Sequence, residues 1–152
     1  LLEWSPTILV AADVYEEVES LGIKIDVVLG RIEAAQSDAI QIDVPGEYLG
    51  AGVTYLILEG YPAMNIISDS RLELESSNYD AINIVWFCNE TKIYRVKSGF
   101  RVWKAAGTRF KLPEGLETTN LRTISQELFE VETDGFVSFI SSSGTTFIEE
   151  YL

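Results

Sequence analysis

The spacing of apolar residues changes along the chain near residue 22. Before that point apolar positions recur every three or four residues, the spacing of one face of a helix. Ser5 followed by Pro6 is typical of a helix start, and Gly22 is typical of the residue just beyond a helix end. The pattern predicts one N-terminal helix over about residues 6–21. The apolar positions that define it are Ile8, Ala11, Ala12, Tyr15, Val18 and Leu21.

From about residue 23 onward apolar and polar residues alternate, as in half-buried strands. Segments 23–27, 40–44, 53–59 and 80–87 show this alternation, and turn-forming glycine and proline residues separate them. The pattern predicts a single domain over residues 1–152, of α+β class and mainly β. We expect a β-barrel or β-sandwich of short antiparallel strands with one N-terminal helix. The residues expected in its core are Ile25, Val27, Ile42, Tyr55, Ile57, Ile84, Trp86, Phe129 and Phe139.

A basic segment with interleaved aromatic residues follows the strongest strand signal. Residues 92–97 and 100–105 flank Ser98-Gly99, which predicts a hairpin with Tyr94 opposite Trp103. Such a hairpin suits single-stranded nucleic acid, because rings stack on bases while cations contact phosphates. The same rings also suit a protein core that leaves the cations on the solvent side.

Charge is segregated along the chain. The sequence has 24 acids and 11 bases, a formal net charge of −13, whereas residues 92–111 contain seven bases and no acid. The predicted helix carries acids, so a basic ribbon and an acidic body are available for charge-matched docking on a protein partner or a second copy. The predicted partner-binding residues are Lys92, Arg95, Lys97, Arg101, Trp103, Lys104, Arg109 and Lys111 in the ribbon, and Asp13, Glu16, Glu17 and Glu19 in the helix.

The composition argues against most enzyme chemistries. The chain has no histidine, the commonest general base and zinc ligand. Its single cysteine, Cys88, follows an apolar run and is expected to be a buried structural thiol. Carboxylates such as Asp26, Asp43 and Glu59 are numerous enough to meet by chance, and no calcium-loop or phosphate-loop motif is present. We therefore expect no catalytic residues, no cofactor and no metal, and the apolar runs are too short to span a membrane.

These features predict a non-enzymatic assembly or interaction protein, such as a virion or phage structural component. It would form homo-oligomers through its acidic and basic surfaces, in the cytoplasm or in a virion. One alternative is a nucleic-acid-binding module that uses the basic aromatic hairpin 92–111, although the net negative charge opposes a polyanion. A second is an immunity or inhibitor protein that binds a basic partner. A third, a hydrolase built on carboxylates, is the least favoured.

Overall fold

The computed structural model describes residues 6–36, 38–44, 46–69, 80–141 and 144–152. The contacts divide the chain into two compact units, Leu1–Tyr61 (unit 1) and Pro62–Leu152 (unit 2). Compactness does not test whether the two units fold independently. The single domain over residues 1–152 therefore stays a prediction.

Unit 1 is built on a small parallel sheet with two helices. Its elements in chain order are β1 (Leu9–Ala11), a 3₁₀ turn (Ala12–Val14), α1 (Tyr15–Ser20), β2 (Val27–Leu29), β3 (Ile40–Ile42) and α2 (Tyr48–Leu58). The strands lie side by side in the order β1-β2-β3, and both pairs are parallel. The central strand β2 is buried at all three positions, which accounts for its uninterrupted apolar sequence.

The predicted helix over residues 6–21 is wrong in its first half. The chain forms β1 there, because β-branched Ile8 and Val10 favour an extended backbone, and α1 begins only at Tyr15. The predicted end is confirmed, since Gly22 has a φ of +71° and its N–H donates to the Glu19 carbonyl at 2.9 Å. The predicted start at Ser5 lies outside the described residues.

The predicted strand over residues 53–59 is also wrong, because residues 53–58 belong to α2 and Glu59 caps its end. The buried positions of α2 are Gly52, Val53 and Leu56, which is helical spacing. Gly52 lets the helix pack closely on β2, because a Cβ at this position would lie 3.1 Å from Leu29 Cδ1. The described residues thus contain two α-helices instead of the single one predicted.

Unit 2 is almost entirely β. Its strands are β4 (Ala63–Ser68), β5 (Asn83–Cys88), β6 (Thr91–Lys97), β7 (Phe100–Lys104), β8 (Arg109–Lys111), β9 (Leu116–Thr119), β10 (Leu121–Thr123), β11 (Leu128–Val131), β12 (Gly135–Ser141) and β13 (Thr145–Tyr151). Seven of them form a sheet in the order β10-β11-β8-β13-β6-β5-β4, and three form a second sheet in the order β7-β12-β9. All the pairs are antiparallel except β4 with β5.

The core of unit 2 joins side chains from both sheets. Phe110 and Ile148 come from the seven-stranded sheet, and Val137 and Phe139 from the three-stranded sheet, and all four are fully buried. The Phe110 and Phe139 rings meet edge to face with centroids 5.5 Å apart, a favourable aromatic geometry. Of the nine residues predicted for the core, five are buried and Ile42, Tyr55, Ile57 and Phe129 are half-buried.

The class prediction, α+β and mainly β, is confirmed. The expected antiparallel pairing holds for most of unit 2 and fails in unit 1, where the sheet is parallel. No sheet of the described residues closes on itself into a barrel, and the sandwich stays a prediction. None of the helices in the described part of the chain is long and apolar enough to cross a membrane.

Candidate functional site

The three parallel strands of unit 1 end at one edge of their sheet. The described residues that follow them there, which we call the carboxyl edge, are Ala12–Val14 after β1, residues 30–33 after β2 and residues 43, 44, 46 and 47 after β3. Open α/β sheets bind their ligands outside the carboxyl ends of the strands, because the loops that follow the strands converge there. This edge is therefore the candidate functional site of unit 1.

Gly30 fixes the backbone at the centre of the carboxyl edge. Its φ is +108°, a conformation that other residues rarely adopt, and its N–H donates to the Ile42 carbonyl at 2.8 Å. A Cβ at Gly30 would lie 2.8 Å from the Ala12 Cβ and 3.2 Å from Tyr48 Cε1. The segment after β1 and the first residue of α2 therefore pack tightly around a position that accepts only glycine.

An exposed ion pair lies next to Gly30. Arg31 Nη2 is 2.8 Å from Asp43 Oδ2, and the two side chains are 79% and 67% exposed. Exposed pairs of this kind contribute only about 0.2–1 kcal/mol, so they are readily exchanged for another partner. Arginine binds phosphate groups through two parallel hydrogen bonds, which makes Arg31 a suitable contact for an anionic ligand.

The other charged residues of the carboxyl edge are acids. Asp13, Glu33 and Glu47 are exposed, and Glu47 accepts a hydrogen bond from the Gly50 N–H through both of its oxygens, at 3.0 and 3.1 Å. Its carboxylate thus caps α2 at the end where an external anion would otherwise bind. No group of three metal-ligating side chains lies together anywhere in the described ranges.

In unit 2 the predicted basic hairpin is wrong. β6 pairs with β5 and β13 in the seven-stranded sheet, whereas β7 pairs with β12 in the other sheet. Trp103 therefore lies opposite Phe136, and Tyr94 lies opposite Val85 and Ile148. Gly99, with a φ of +86°, lies where the chain passes from one sheet to the other. A turn sequence specifies a local bend, and tertiary packing decides which strands pair after it.

The predicted ribbon residues are consequently dispersed over both sheets. Lys97, Arg101, Trp103 and Arg109 are exposed, and Lys92, Arg95, Lys104 and Lys111 are partly buried. At least four of the seven cations form ion pairs within unit 2: Arg95 with Asp80, Lys104 with Glu150, Arg109 with Glu130 and Lys111 with Glu127. The sequence suggested a free basic surface, and the fold neutralises much of it internally.

Lys104 belongs to a largely buried polar cluster that joins the two sheets. Its Nζ lies 2.5 Å from Glu150 Oε1 on β13 and 3.2 Å from the Tyr94 hydroxyl on β6. The Tyr94 hydroxyl also donates to Glu150 Oε2. Burial, together with the hydrogen bond to Glu150, holds the pKa of Tyr94 above its ordinary value, so the phenol stays protonated. Lys92 adds a cation 4.8 Å from the centre of the Tyr94 ring.

A second cluster is centred on Glu130 of β11. Arg122 of β10 and Arg109 of β8 flank it across the sheet, and both donate hydrogen bonds to its carboxylate. These bonds, from Arg122 first and Arg109 second, lower the pKa of Glu130. The cluster links three neighbouring strands, and its polar groups already have partners.

The predicted acidic residues of the helix lie in unit 1. Asp13, Glu16, Glu17 and Glu19 are all exposed. Glu19 accepts a hydrogen bond from the Tyr15 hydroxyl at 2.8 Å, and burial is the first cause of the raised pKa of Tyr15. Whether these acids or the ribbon residues bind a partner stays a prediction.

No protein-family model and no curated protein sequence matches this chain significantly. Solved structures do match it, over nearly its whole length. A Lactobacillus plantarum protein matches with a TM-score of 0.69 and 14% identity, over 99% of this chain and 90% of its own. The thiamin pyrophosphokinase of Geobacillus thermodenitrificans matches with a TM-score of 0.68 and 9% identity, over 96% and 86%. The thiamine pyrophosphokinase of Bacillus subtilis matches with a TM-score of 0.67 and 10% identity, over 97% and 88%.

The chain has a thiamine pyrophosphokinase-like fold. This overturns the prediction of a non-enzymatic assembly protein or virion component, because several of the solved structures that share the fold carry the name of an enzyme. The prediction that the chain is not an enzyme is wrong for the same reason. The nucleic-acid and inhibitor alternatives fall with it, since both rested on the same charge pattern.

The sequence analysis missed the residues of the carboxyl edge. Asp43 was considered only as one of many acids, and Gly30 only as a separator between strands. The available signal was the uninterrupted apolar run Val27-Val28-Leu29, which is typical of a buried parallel strand and directs attention to the residues just after it. The alternation of apolar and polar residues just before residue 27 led instead to the prediction of a half-buried strand.

Proposed function

We propose that the chain is an enzyme of pyrophosphoryl transfer whose reaction site lies at the carboxyl edge of unit 1. The observation that carries the proposal is the parallel sheet β1-β2-β3, which presents such an edge in a chain with a thiamine pyrophosphokinase-like fold. Thiamine is the first acceptor to test, because proteins that share the fold are named for it.

The carboxyl edge has features that suit a polyphosphate. Gly30 lets the loop after β2 pack tightly against Ala12 and Tyr48, and Arg31 follows directly with an exchangeable ion pair. Transfer of phosphoryl groups depends mainly on positioning and on neutralising charge, so a guanidinium at this place is useful chemistry.

The acidic residues of the carboxyl edge mean that a bound triphosphate would need additional positive charge. Asp13, Glu33, Asp43 and Glu47 would repel a nucleoside triphosphate in the absence of added positive charge. Mg²⁺ in such sites is commonly held by one or two carboxylates together with the phosphates of the substrate, and no larger ligand cluster is needed. Asp13 and Asp43 suit that role, and metal binding should then require the nucleotide.

The proposed step moves a pyrophosphoryl group from a nucleoside triphosphate to an acceptor hydroxyl. The hydroxyl oxygen forms a bond to the β-phosphorus while the bond from that phosphorus to the α–β bridging oxygen breaks. The nucleoside monophosphate leaves with the bonding electron pair, and the hydroxyl proton passes to water or to an edge carboxylate. A monophosphate product distinguishes this transfer from simple hydrolysis to a diphosphate.

The test is to incubate the full chain with ATP, Mg²⁺ and thiamine, and to separate the nucleotides and thiamine esters by chromatography. We expect AMP and thiamine diphosphate in equal amounts. Arg31→Ala should lower the rate about tenfold or more, as loss of a charge-stabilising contact usually does. The matched control is Lys24→Ala, which removes another exposed, ion-paired cation of unit 1, located before β2 instead of after it.

Failure of the chain to bind ATP with Mg²⁺, measured by calorimetry at millimolar nucleotide, would overturn the proposal. Binding of ATP without turnover of thiamine would retain the site and reject thiamine as acceptor. A Lys24→Ala effect equal to that of Arg31→Ala would show that general charge, and not the carboxyl edge, controls the rate.

A further inference from the structure

Arg31 lies in an irregular segment of unit 1 that no regular hydrogen-bond ladder holds in place. The segment is residues 30–36, which follow β2 and form neither helix nor strand. Backbone groups outside a helix or sheet keep a defined position only where other groups bond to them. The contacts on either side of Arg31 therefore decide where its guanidinium is presented.

Two consecutive residues of β3 hold the main chain on both sides of Arg31. The Gly30 N–H donates to the Ile42 carbonyl at 2.8 Å. The Ile32 N–H donates to the side-chain carbonyl of Gln41, Oε1, at 3.1 Å. The first of these is a main-chain contact, which any residue at position 42 would supply. The second depends on the side chain of Gln41.

The contact from Gln41 differs from the ion pair that Arg31 makes with Asp43. The carboxylate of Asp43 bonds to the guanidinium itself at 2.8 Å, so an incoming phosphate group competes with it for the same donors. Gln41 instead bonds to the peptide group that follows Arg31, and this bond can persist while the guanidinium changes partner. Gln41 thus fixes the base of the arginine side chain in both situations.

The chemistry of Gln41 suits this place in the fold. A small rotation of the peptide group after Arg31 displaces the distant guanidinium much further than the main chain, and a misplacement of about 1 Å in a reaction site can cost about a hundredfold in rate. The amide of glutamine is a neutral acceptor. It holds the peptide group without adding negative charge to an edge whose other charged residues are acids.

We propose that Gln41 is a positioning residue for Arg31 at the carboxyl edge. It acts through Arg31, by holding the following peptide group, and does not itself contact the reacting groups. The assignment rests on the proposed function, because the orientation of Arg31 matters only where the edge binds phosphate groups. The hydrogen bond from Ile32 to Gln41 belongs to the free protein, so it is tested separately from that function.

The first measurement is the hydrogen exchange of the Ile32 amide, followed by NMR on the full chain without ligand. Gln41→Met keeps the length of the side chain and removes the acceptor, so exchange should become about three- to tenfold faster, as expected for the loss of one hydrogen bond. Gln41→Ala removes the acceptor in a second way and should act alike. Gln41→Glu retains an acceptor and should restore slow exchange.

Gln36→Met is the matched control. Gln36 belongs to the same segment, and its side chain accepts from the Ile25 N–H and donates to the Ile23 carbonyl at the other end of it. The substitution is the same as in Gln41→Met and removes two hydrogen bonds instead of one. It should nevertheless leave the exchange of the Ile32 amide unchanged.

The second measurement is the affinity for ATP with Mg²⁺, determined by calorimetry in a double-mutant cycle. Gln41→Met should weaken binding about three- to tenfold when Arg31 is present and have no further effect in the Arg31→Ala background. A general structural role of Gln41 would produce the same loss in both backgrounds. Gln36→Met should bind ATP about as well as wild type.

The outcomes separate the role of Gln41 from the proposed function. Unchanged exchange of Ile32 in Gln41→Met, an equal loss of ATP affinity in Gln36→Met, or an undiminished effect of Gln41→Met in the Arg31→Ala background would each overturn the role of Gln41 and leave the proposed function standing. Failure of the wild-type chain to bind ATP with Mg²⁺ would overturn the proposed function, and the role of Gln41 with it, even if the exchange of Ile32 behaves as expected.

Discussion

Replacing Phe139 by alanine should destabilise unit 2 more than any exposed substitution. Its ring is fully buried between the two sheets and packs against Phe110 at 5.5 Å and Phe100 at 6.2 Å. Loss of the buried surface costs about 2–3 kcal/mol, the usual value for a large apolar side chain. Incomplete collapse around the void adds about 1–2 kcal/mol, so the total should be about 3–5 kcal/mol.

The assay is guanidinium unfolding, followed by the fluorescence of the tryptophans at neutral pH. Phe136→Ala is the matched control: Phe136 lies on the same strand but on the opposite face, 55% exposed, and its loss should cost less than about 0.5 kcal/mol. A loss below about 1 kcal/mol for Phe139→Ala, or equal losses for the two variants, would refute the assigned facing of β12.

Three further predictions concern buried polar groups and the thiol. Lys104→Met should lower the free energy of unfolding by about 3 kcal/mol, because it leaves Glu150 buried with Tyr94 as its remaining hydrogen-bond donor. Adding Glu150→Leu should recover most of that loss in the same unfolding assay. The lowered pKa of Glu130 means that its carboxylate stabilises the fold at neutral pH and that this stabilisation is lost as pH falls below about 4. Glu130→Gln should therefore flatten the acid side of the stability–pH profile, and an unchanged profile would contradict this. Cys88 is free and buried, so it should react slowly with a thiol reagent in native protein and quickly in denaturant; rapid native labelling would contradict its burial.

Local pattern by itself determined the β-rich character of the chain and much of its core. The alternation along residues 80–87 correctly identified the buried side of β5, where Ile84 and Trp86 lie, and the burial of Cys88 followed from its apolar surroundings. Gly22 correctly marked the end of a helix. The predictions from these features are correct because side-chain direction and backbone conformation are set within a few residues, and because one apolar face must be buried.

Tertiary structure alone decided the sheet partners and, with them, the candidate site. Strands β1, β2 and β3 are only three residues long, and their parallel pairing brings together Asp13, Gly30, Arg31 and Asp43 from distant parts of the chain. The glycine-rich segment before Val53 became a helix because its small residues allow close packing on β2, a contact that alternation cannot reveal.

The basic ribbon shows most clearly that a local sequence pattern does not reveal long-range partners. Its residues are consecutive in sequence, yet β6 and β7 lie in different sheets, and Lys104 is drawn into a pair with Glu150, which is 46 residues away. The net charge of a segment depends only on which charged groups it contains. It does not show which other residues pair with those groups in the folded chain. Since long-range packing chooses those partners, a cluster that looked like a binding surface in the sequence became in part internal structure.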